Sequence, residues 1–331
     1  MSIQGGIIKP GELENPVQNG YCHNSFLDEE ILYIGNLING WGHCITNNLA
    51  RLWFLLDEKM RFKYESCLIG YTLLYDKAEL SGAFLYLLEF LGIEKKRLIK
   101  IDTPMAFRKV YLPEECFVSG VSRKNWYYTK EYQLIINFLI NKCNVVNEKI
   151  KGEKVYFSRE KIHDGRDHGE AKIREIFQEQ GFSVYYPECL SFEEQVRILQ
   201  NCSIFATTEG SIAHNAVFLN KKAELVILKK ANYVNLFQTI INTAFNIQTT
   251  FIDVNKTNTL FSKNIVSAGP FFLYASKYLC KYFSIDYQGF PCIDYLKYLI
   301  PLLSYRIKIC LIKKIIYFKN ILRKYLYCKT K

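Results

Sequence analysis

The sequence contains no C-x-x-C pair and no Cys/His grouping at zinc spacing, although eleven cysteines are spread from Cys22 to Cys328. A structural zinc site is therefore not expected. With no signal-peptide pattern at its start, the chain is expected to keep reduced thiols in the cytoplasm, each a small buried hydrophobe without a chemical role. Three nucleotide and nucleophile signatures are missing as well: G-x-x-x-x-G-K-[ST], G-x-G-x-x-G and G-x-S-x-G. Kinases with a phosphate loop, nucleotide-dependent dehydrogenases and serine hydrolases lose their usual support. No Asp-x-Asp triplet is present to hold a divalent cation, so neither a metal nor another cofactor is expected.

Acidic residues are also absent beyond Asp294, whereas ten cations follow it: Lys297, Arg306, Lys308, Lys313, Lys314, Lys319, Arg323, Lys324, Lys329 and Lys331. The whole chain has 43 Lys and Arg against 32 Asp and Glu, so the remainder carries 33 against 32. The net charge of +11 therefore sits almost entirely in this last stretch, and a body that coats nucleic acid is not expected. From Leu302 onward Ile, Leu, Phe and Tyr are mixed with nine Lys or Arg, and no run of 18 residues there is free of charge. Such a segment does not span a bilayer. It reads as a basic amphipathic helix over 301–331 lying on an anionic membrane surface, peripheral on the inner face of the cell membrane, with each cation near the surface contributing on the order of 1 kcal/mol. The alternative is a helix that completes the fold and leaves a charged face in solvent.

At 331 residues, with 49% apolar and 15% aromatic residues, the chain exceeds one core and is far from the composition of disorder. Two domains with a cleft between them are expected. From about residue 154 strand and helix signals alternate. Lys154–Ser158 is a strand, a helix carrying Ile173, Ile176 and Phe177 stops near Gly181, and Phe182–Tyr186 is a second strand. Ser191 with Glu194 opens a helix striped by Phe192, Val196 and Leu199; strand Ser203–Thr207, helix Ser211–Leu219 and strand Glu224–Leu228 follow. This alternation predicts a parallel sheet with helices on both faces and ligands beyond the strands' carboxyl ends, which places Ser158, Arg159, Glu188, Glu209 and Gly210 on the rim. The first half, with helix signals at Ile45–Leu56, Leu80–Leu91 and Tyr127–Val145 and strands near Leu32, Leu68, Ile99 and Val110, reads as another α/β lobe. The expected division is 1–150, 151–264, an apolar segment 265–300 packing back on the lobes, and the basic tail, with the boundary near Asn147–Glu153.

Three constellations could carry chemistry. Gly40-Trp41-Gly42-His43 precedes an apolar stripe of Ile45, Leu49, Leu52, Trp53 and Leu56, and on continuous helical spacing His43, Asn47 and Arg51 form a polar ridge beside it. A histidine at a helix start tends to stay neutral and able to act as a base; capping the helix or packing on Trp41 is the alternative role. Thr207–Asn215 joins a strand end, a glycine turn and a helix start, whose amides at Gly210 and Ser211 suit a diphosphate. There Glu209 could bind a ligand hydroxyl, and His214 and Asn215 are polar where a buried helix prefers apolar residues; an ordinary turn capped by Ser211 is the alternative. Ser158-Arg159 adds a planar cationic fork for phosphate oxygens, or else a surface arginine.

In this order the pieces resemble glycosyltransferase family 61, over roughly residues 30 to 250. The resemblance rests on Gly42-His43, Arg51-Leu52-Trp53, Val155-Tyr156-Phe157-Ser158-Arg159, Gly181-Phe182, Pro187-Glu188, Leu190-Ser191-Phe192, Glu194-Gln195 and Gly210-Ser211-Ile212-Ala213-His214-Asn215. It implies an α/β, GT-B-like architecture of two facing Rossmann-like lobes. It also implies an inverting, metal-independent transfer from a nucleotide-sugar donor, UDP-linked, to a growing surface polysaccharide or a lipid-linked glycan, as in capsule or lipopolysaccharide assembly. On that implication His43 is the base and Asn47 and Arg51 lie on the acceptor side. The donor is held by Ser158, Arg159, Glu188, Glu209, Gly210, Ser211, His214 and Asn215, with Arg159, His214 and the amides on the departing diphosphate. The glycine loop departs from the family's pattern, since Thr208-Glu209 precede a single glycine and His214 follows it. A non-catalytic glycan- or nucleotide-binding protein on the same fold, and a nucleic-acid-binding protein acting through its tail, remain as alternatives.

Overall fold

Strands such as Val155-Tyr156-Phe157 and Leu225-Val226-Ile227-Leu228 are apolar at every position and buried on both sides, the pattern of parallel strands covered on two faces. The computed structural model describes residues 25–74, 79–119, 122, 125–143, 152–162, 167–256 and 270–329. In the first half β1 (Ser25–Leu37), β2 (Leu68–Leu73), β3 (Leu98–Lys100) and β4 (Met105–Tyr111) form a parallel sheet in the order β3-β2-β1-β4. Helices α1 (Trp41–Thr46) and α2 (Glu58–Lys63) separate β1 from β2, and α3 (Ala83–Phe90) follows β2. A short hairpin, β5 (Phe117–Val118) and β6 (Tyr127–Tyr128), leads into α4 (Lys130–Lys142).

The second half contains β7 (Glu153–Phe157), β8 (Asp167–His168), α5 (Glu170–Glu179), β9 (Phe182–Tyr185), α6 (Phe192–Asn201), β10 (Cys202–Thr208), β11 (Glu224–Lys229), α7 (Leu236–Phe245) and β12 (Thr249–Asp253). Five of its strands form a parallel sheet in the order β12-β11-β10-β7-β9. The mixed α/β class with parallel sheets is as expected, and the capping box at α6 is made in both directions between Ser191 and Glu194. Helix α7 and edge strand β12 extend the sheet beyond the predicted run. Short β13 (Phe271–Phe272) pairs with β8, and α8 (Lys277–Phe283) and α9 (Cys292–Lys329) complete the described chain.

Chain order reverses twice. β1 lies between β2 and β4, and β7 lies between β9 and β10. In open parallel sheets the crevice outside the carboxyl ends at such a reversal is where ligands bind. β1 leads directly into Gly40–His43, β4 into Pro113–Glu115, β7 into Ser158–Arg159 and β10 into Glu209–Ser211.

The core sorts by strand alternation. Val155, Phe157, Phe205, Leu225 and Ile227 share one buried cluster with Leu32, Ile69, Phe84 and Leu139 of the first half. Tyr156, Ala206, Val226 and Leu228 point the other way, onto Ile173, Phe177 and Leu279. One buried apolar cluster therefore takes residues from both halves of the chain. Phe271, Leu273 and Leu279 pack on the α5 side of the second sheet, not on the first half. Most of the expected boundary at 147–153 lies outside the described residues. Among the described cysteines Cys44, Cys67, Cys116, Cys143, Cys202 and Cys280 are buried as expected, whereas Cys189, Cys292 and Cys310 are exposed.

The helix expected over Ile45–Leu56 is broken. Tyr128 and Tyr132, stacked with ring centroids 4.0 Å apart, donate their hydroxyls to the carbonyls of Thr46 and Ile45 at 2.7 and 2.6 Å. A continuous α-helix would direct backbone N–H groups to those carbonyls. Instead the Ala50 N–H turns to Asn47 O, and a 3-10 helix, Asn48–Leu55, follows. Removing the Tyr132 hydroxyl by Tyr132→Phe strands a buried carbonyl, so stability should fall by about 1–3 kcal/mol, read as a lower urea midpoint at unchanged slope. An unmoved midpoint would show that the break needs no such support.

Candidate active site

The two strand-end loops meet without room for another atom. Gly210 adopts φ 128 and ψ −160, a conformation that side chains resist, and so turns the chain from β10 into the 3-10 helix Ser211–Phe218. The first N–H groups of such a helix have no partner within it. Helix α1 sits against this start: a Cβ on Gly42 would lie 2.5 Å from Ser211 Oγ, and Trp41 Nε1 donates to Asn215 Oδ1 at 2.6 Å. Beside the contact opens a pocket of about 620 Å³, within the size range of small-molecule sites. Trp41, Ala83 and Tyr86 line it from the first half, and Arg159, Pro187, Glu188, Ser211, Ile212 and Asn215 from the second.

The structure thus gathers Arg159, Glu188, Ser211 and Asn215 at one pocket, with Gly210 shaping its floor turn. His43 is exposed on α1, one residue beyond Gly42, and is not among the residues that line this pocket; its Nδ1 lies 3.2 Å from Asn47 Oδ1. The other expected residues are engaged within the protein. Arg51 leaves the supposed ridge because the helix is broken; its guanidinium donates to the Pro113 carbonyl and to Glu115. Buried Ser158 spends its hydroxyl on Glu160 and Glu170. Both carboxylate oxygens of buried Glu209 accept backbone N–H groups, Oε2 from Lys230 and Oε1 from Asn235, so it braces the loop after β11 and offers nothing to a ligand hydroxyl. His214 is buried with Nδ1 on Gln238 Oε1 at 2.9 Å, and burial lowers it to about 4. It is neutral at pH 7 and brings no positive charge to a diphosphate.

Behind the rim lies a charged cluster that sequence reasoning missed. Glu170, at the start of α5, accepts the Arg159 N–H at 2.9 Å, the Ser158 hydroxyl and the Tyr156 hydroxyl on Oε1, and so fixes the turn that presents Arg159. Its Oε2 and Thr208 Oγ1 are buried with no partner among the described residues. Burial is the main reason that the Glu170 carboxyl is pushed up to about 7, with the Arg159 amide opposing it. Lys230 is equally buried and pairs with Asp167 at 2.9 Å; desolvation lowers its ammonium and Asp167 partly restores it. In sequence Glu170 reads as an acid in a helix's first turn and Lys229-Lys230 as a solvated pair. Asp167 reaches Lys230 from β8, which pairs with the distant β13. Among the described residues no three His, Cys, Asp or Glu side chains are grouped as a metal ion requires.

Residues 41–226, from Trp41 at the pocket to β11 of the second sheet, match the family described as Glycosyltransferase 61. The chain belongs to glycosyltransferase family 61. Two solved structures resemble the glycosyltransferase more distantly. The glycosyl transferase family 9 protein from Veillonella parvula DSM 2008 is 10% identical, with a TM-score of 0.32 over 71% of this chain and 90% of that one. The iron-containing dodecameric glycosyltransferase TibC from enterotoxigenic E. coli H10407 is 13% identical, with a TM-score of 0.26 over 62% of this chain and 59% of that one. Likeness at that level assigns neither architecture nor chemistry. A search of curated proteins returned no match.

Two variants of the glycosyltransferase probe the site's construction. Gly42→Ala collides with Ser211 and should lower both melting temperature and turnover, whereas Gly42→Ala with Ser211→Gly should recover much of the loss, a coupling of about 1 kcal/mol or more. Simple additivity would show that this contact limits nothing. For Glu170, a carboxyl raised in the folded state from 4.5 to about 7 holds its proton longer than in the unfolded chain. Its contribution to stability is therefore full below about 4.5 and is lost as pH rises through 7. Glu170→Gln keeps the acceptor and removes the titration, so its stability relative to wild type should climb between those pH values in denaturant melts. A flat difference would place the ionisation elsewhere.

Proposed function

We propose that this glycosyltransferase carries out an inverting transfer from a nucleotide-sugar donor, UDP-linked, to a hydroxyl of a growing surface polysaccharide or lipid-linked glycan. In this reading the two parallel sheets are the Rossmann-like lobes of a GT-B enzyme, the donor side falling in 151–264 and the acceptor side in 1–150. The observation that carries it is the pocket itself: Arg159 and the start of Ser211–Phe218, whose first amides have no partner within their helix, converge from the two strand ends of one chain reversal, with Trp41 as the opposite wall. Positive potential there suits a departing diphosphate without calling on a cation. Glu188, exposed at the rim, is placed for a ribose or sugar hydroxyl.

His43 is the base in this mechanism. With Nδ1 donating to Asn47 Oδ1, the nitrogen left to take the acceptor's proton is Nε2. Asn47 therefore sets the tautomer, and Glu170 keeps Arg159 in place. The experiment is a thermal melt with UDP, GDP, CMP and their sugar conjugates, run beside a turnover assay on Arg159→Ala and His43→Ala. One nucleotide should raise the melting temperature of wild type and of His43→Ala alike, but not of Arg159→Ala; saturation near 100 times Kd stabilises by about 2.7 kcal/mol. His43→Ala should bind donor and fail to turn over. Equal loss of binding and turnover in His43→Ala would remove it from the base role, and no shift with any nucleotide would sink the donor assignment.

A further inference from the structure

Helix α9 begins docked and then leaves the body. Asp294 pairs with Lys172, Tyr298 donates its hydroxyl to the Pro270 carbonyl at 2.9 Å, and Tyr298 and Leu302 are buried against Phe272. On another side of the same helix Ile293, Leu296, Ile300, Leu303, Ile307 and Leu311 are exposed, Ile293 and Ile300 at 71% each. Unpartnered large aliphatic side chains in a continuous line mark an interaction surface.

The spacing and the charge say what covers it. From Ile293 to Leu311 the steps are three, four, three, four and four residues, which is about 3.6 per step and the period of a straight α-helix. The line therefore stays on one side for about 27 Å and fits a flat surface. A supercoiled partner helix follows a seven-residue repeat, which after Ile307 would put Cys310 in the seam instead of Leu311. Lys297, Lys308, Lys313, Lys314 and Lys319 are all exposed along the helix, and no acidic residue follows Asp294. A second copy would bring like charges together, and a nucleic acid would leave the aliphatic line in water. No described helix is long and apolar enough to cross a membrane.

We propose that this face of α9 lies along an anionic lipid leaflet, with the aliphatic line among the acyl chains and the lysines at the headgroup phosphates. The surface starts at Ile293, within the docked part of the helix, and not at 301 as the charge pattern alone implies. The folded body is thereby held at a fixed attitude to the membrane.

The test is co-sedimentation of the full chain with phosphatidylcholine vesicles, with and without about 30 mol% phosphatidylglycerol, at low and high salt. Wild type should sediment with the anionic vesicles, and less at high salt. Ile300→Asp with Ile307→Asp should lose roughly tenfold or more in partitioning. Lys308→Glu with Lys313→Glu and Lys314→Glu should lose on the order of a hundredfold. These side chains are exposed, so circular dichroism and any nucleotide-induced melting shift should stay at wild-type values, which separates this result from the fate of the donor site. Equal sedimentation of wild type and the aspartate variant would overturn the proposal. So would a dimer in analytical ultracentrifugation that the aspartate variant dissolves, or salt-sensitive binding to RNA that the aspartate variant retains while vesicles bind neither protein.

Discussion

The seating of Gly42 on Ser211 is the constraint around which the site is built. Two loops from different sheets approach until a single methyl group would not fit, and the Trp41–Asn215 hydrogen bond locks them in register. The spacing between α1 and the turn at Gly210–Ser211 is then fixed by this contact and by that hydrogen bond. Precise placement of reacting groups is worth several orders of magnitude in rate, and rigid elements supply it better than loops do.

That contact rests in turn on polar groups buried beneath it. Tyr128 and Tyr132 end α1 by taking its last carbonyls, so His43 stands on a short helix whose far end is pinned. Glu170 performs the matching service under Arg159, and Glu209 and Gln238 steady the loop and the helix behind Gly210. Each of these is an ionisable or hydrogen-bonding group moved out of water, a cost that a purely structural core avoids by using apolar residues. Their concentration behind one pocket, while the rest of the core is aliphatic and aromatic, is consistent with a site whose geometry is held at the expense of stability.

Most of the second sheet was legible in sequence, because parallel strands buried on both faces are unbroken apolar runs and the capping box at Ser191 marks a helix start without ambiguity. Arg159 and the Gly210 turn were legible for the same reason: they follow such strands directly. What could not be read was anything that depends on who stands opposite. Arg51 belongs to a helical ridge only if the helix continues, and the hydroxyls that break it come from residues some 80 positions later in the chain. His214 and Glu209 look like ligands in a linear motif. Their burial is a property of the helix and loop that pack on them, Leu236–Phe245 and the turn after β11, which carry no motif of their own.

The apolar cluster shared by both halves also limits how the enzyme can breathe. Enzymes with two separately cored lobes can open like a jaw about a hinge, since little surface is stripped in the motion. Here a wide opening would pull Trp41 and Phe90 away from Phe192, and Phe117 away from Phe237, rings that pack across the two halves. Small excursions of the pocket's rim expose far less apolar surface than such a jaw-like motion, and they leave the two sheets clasped.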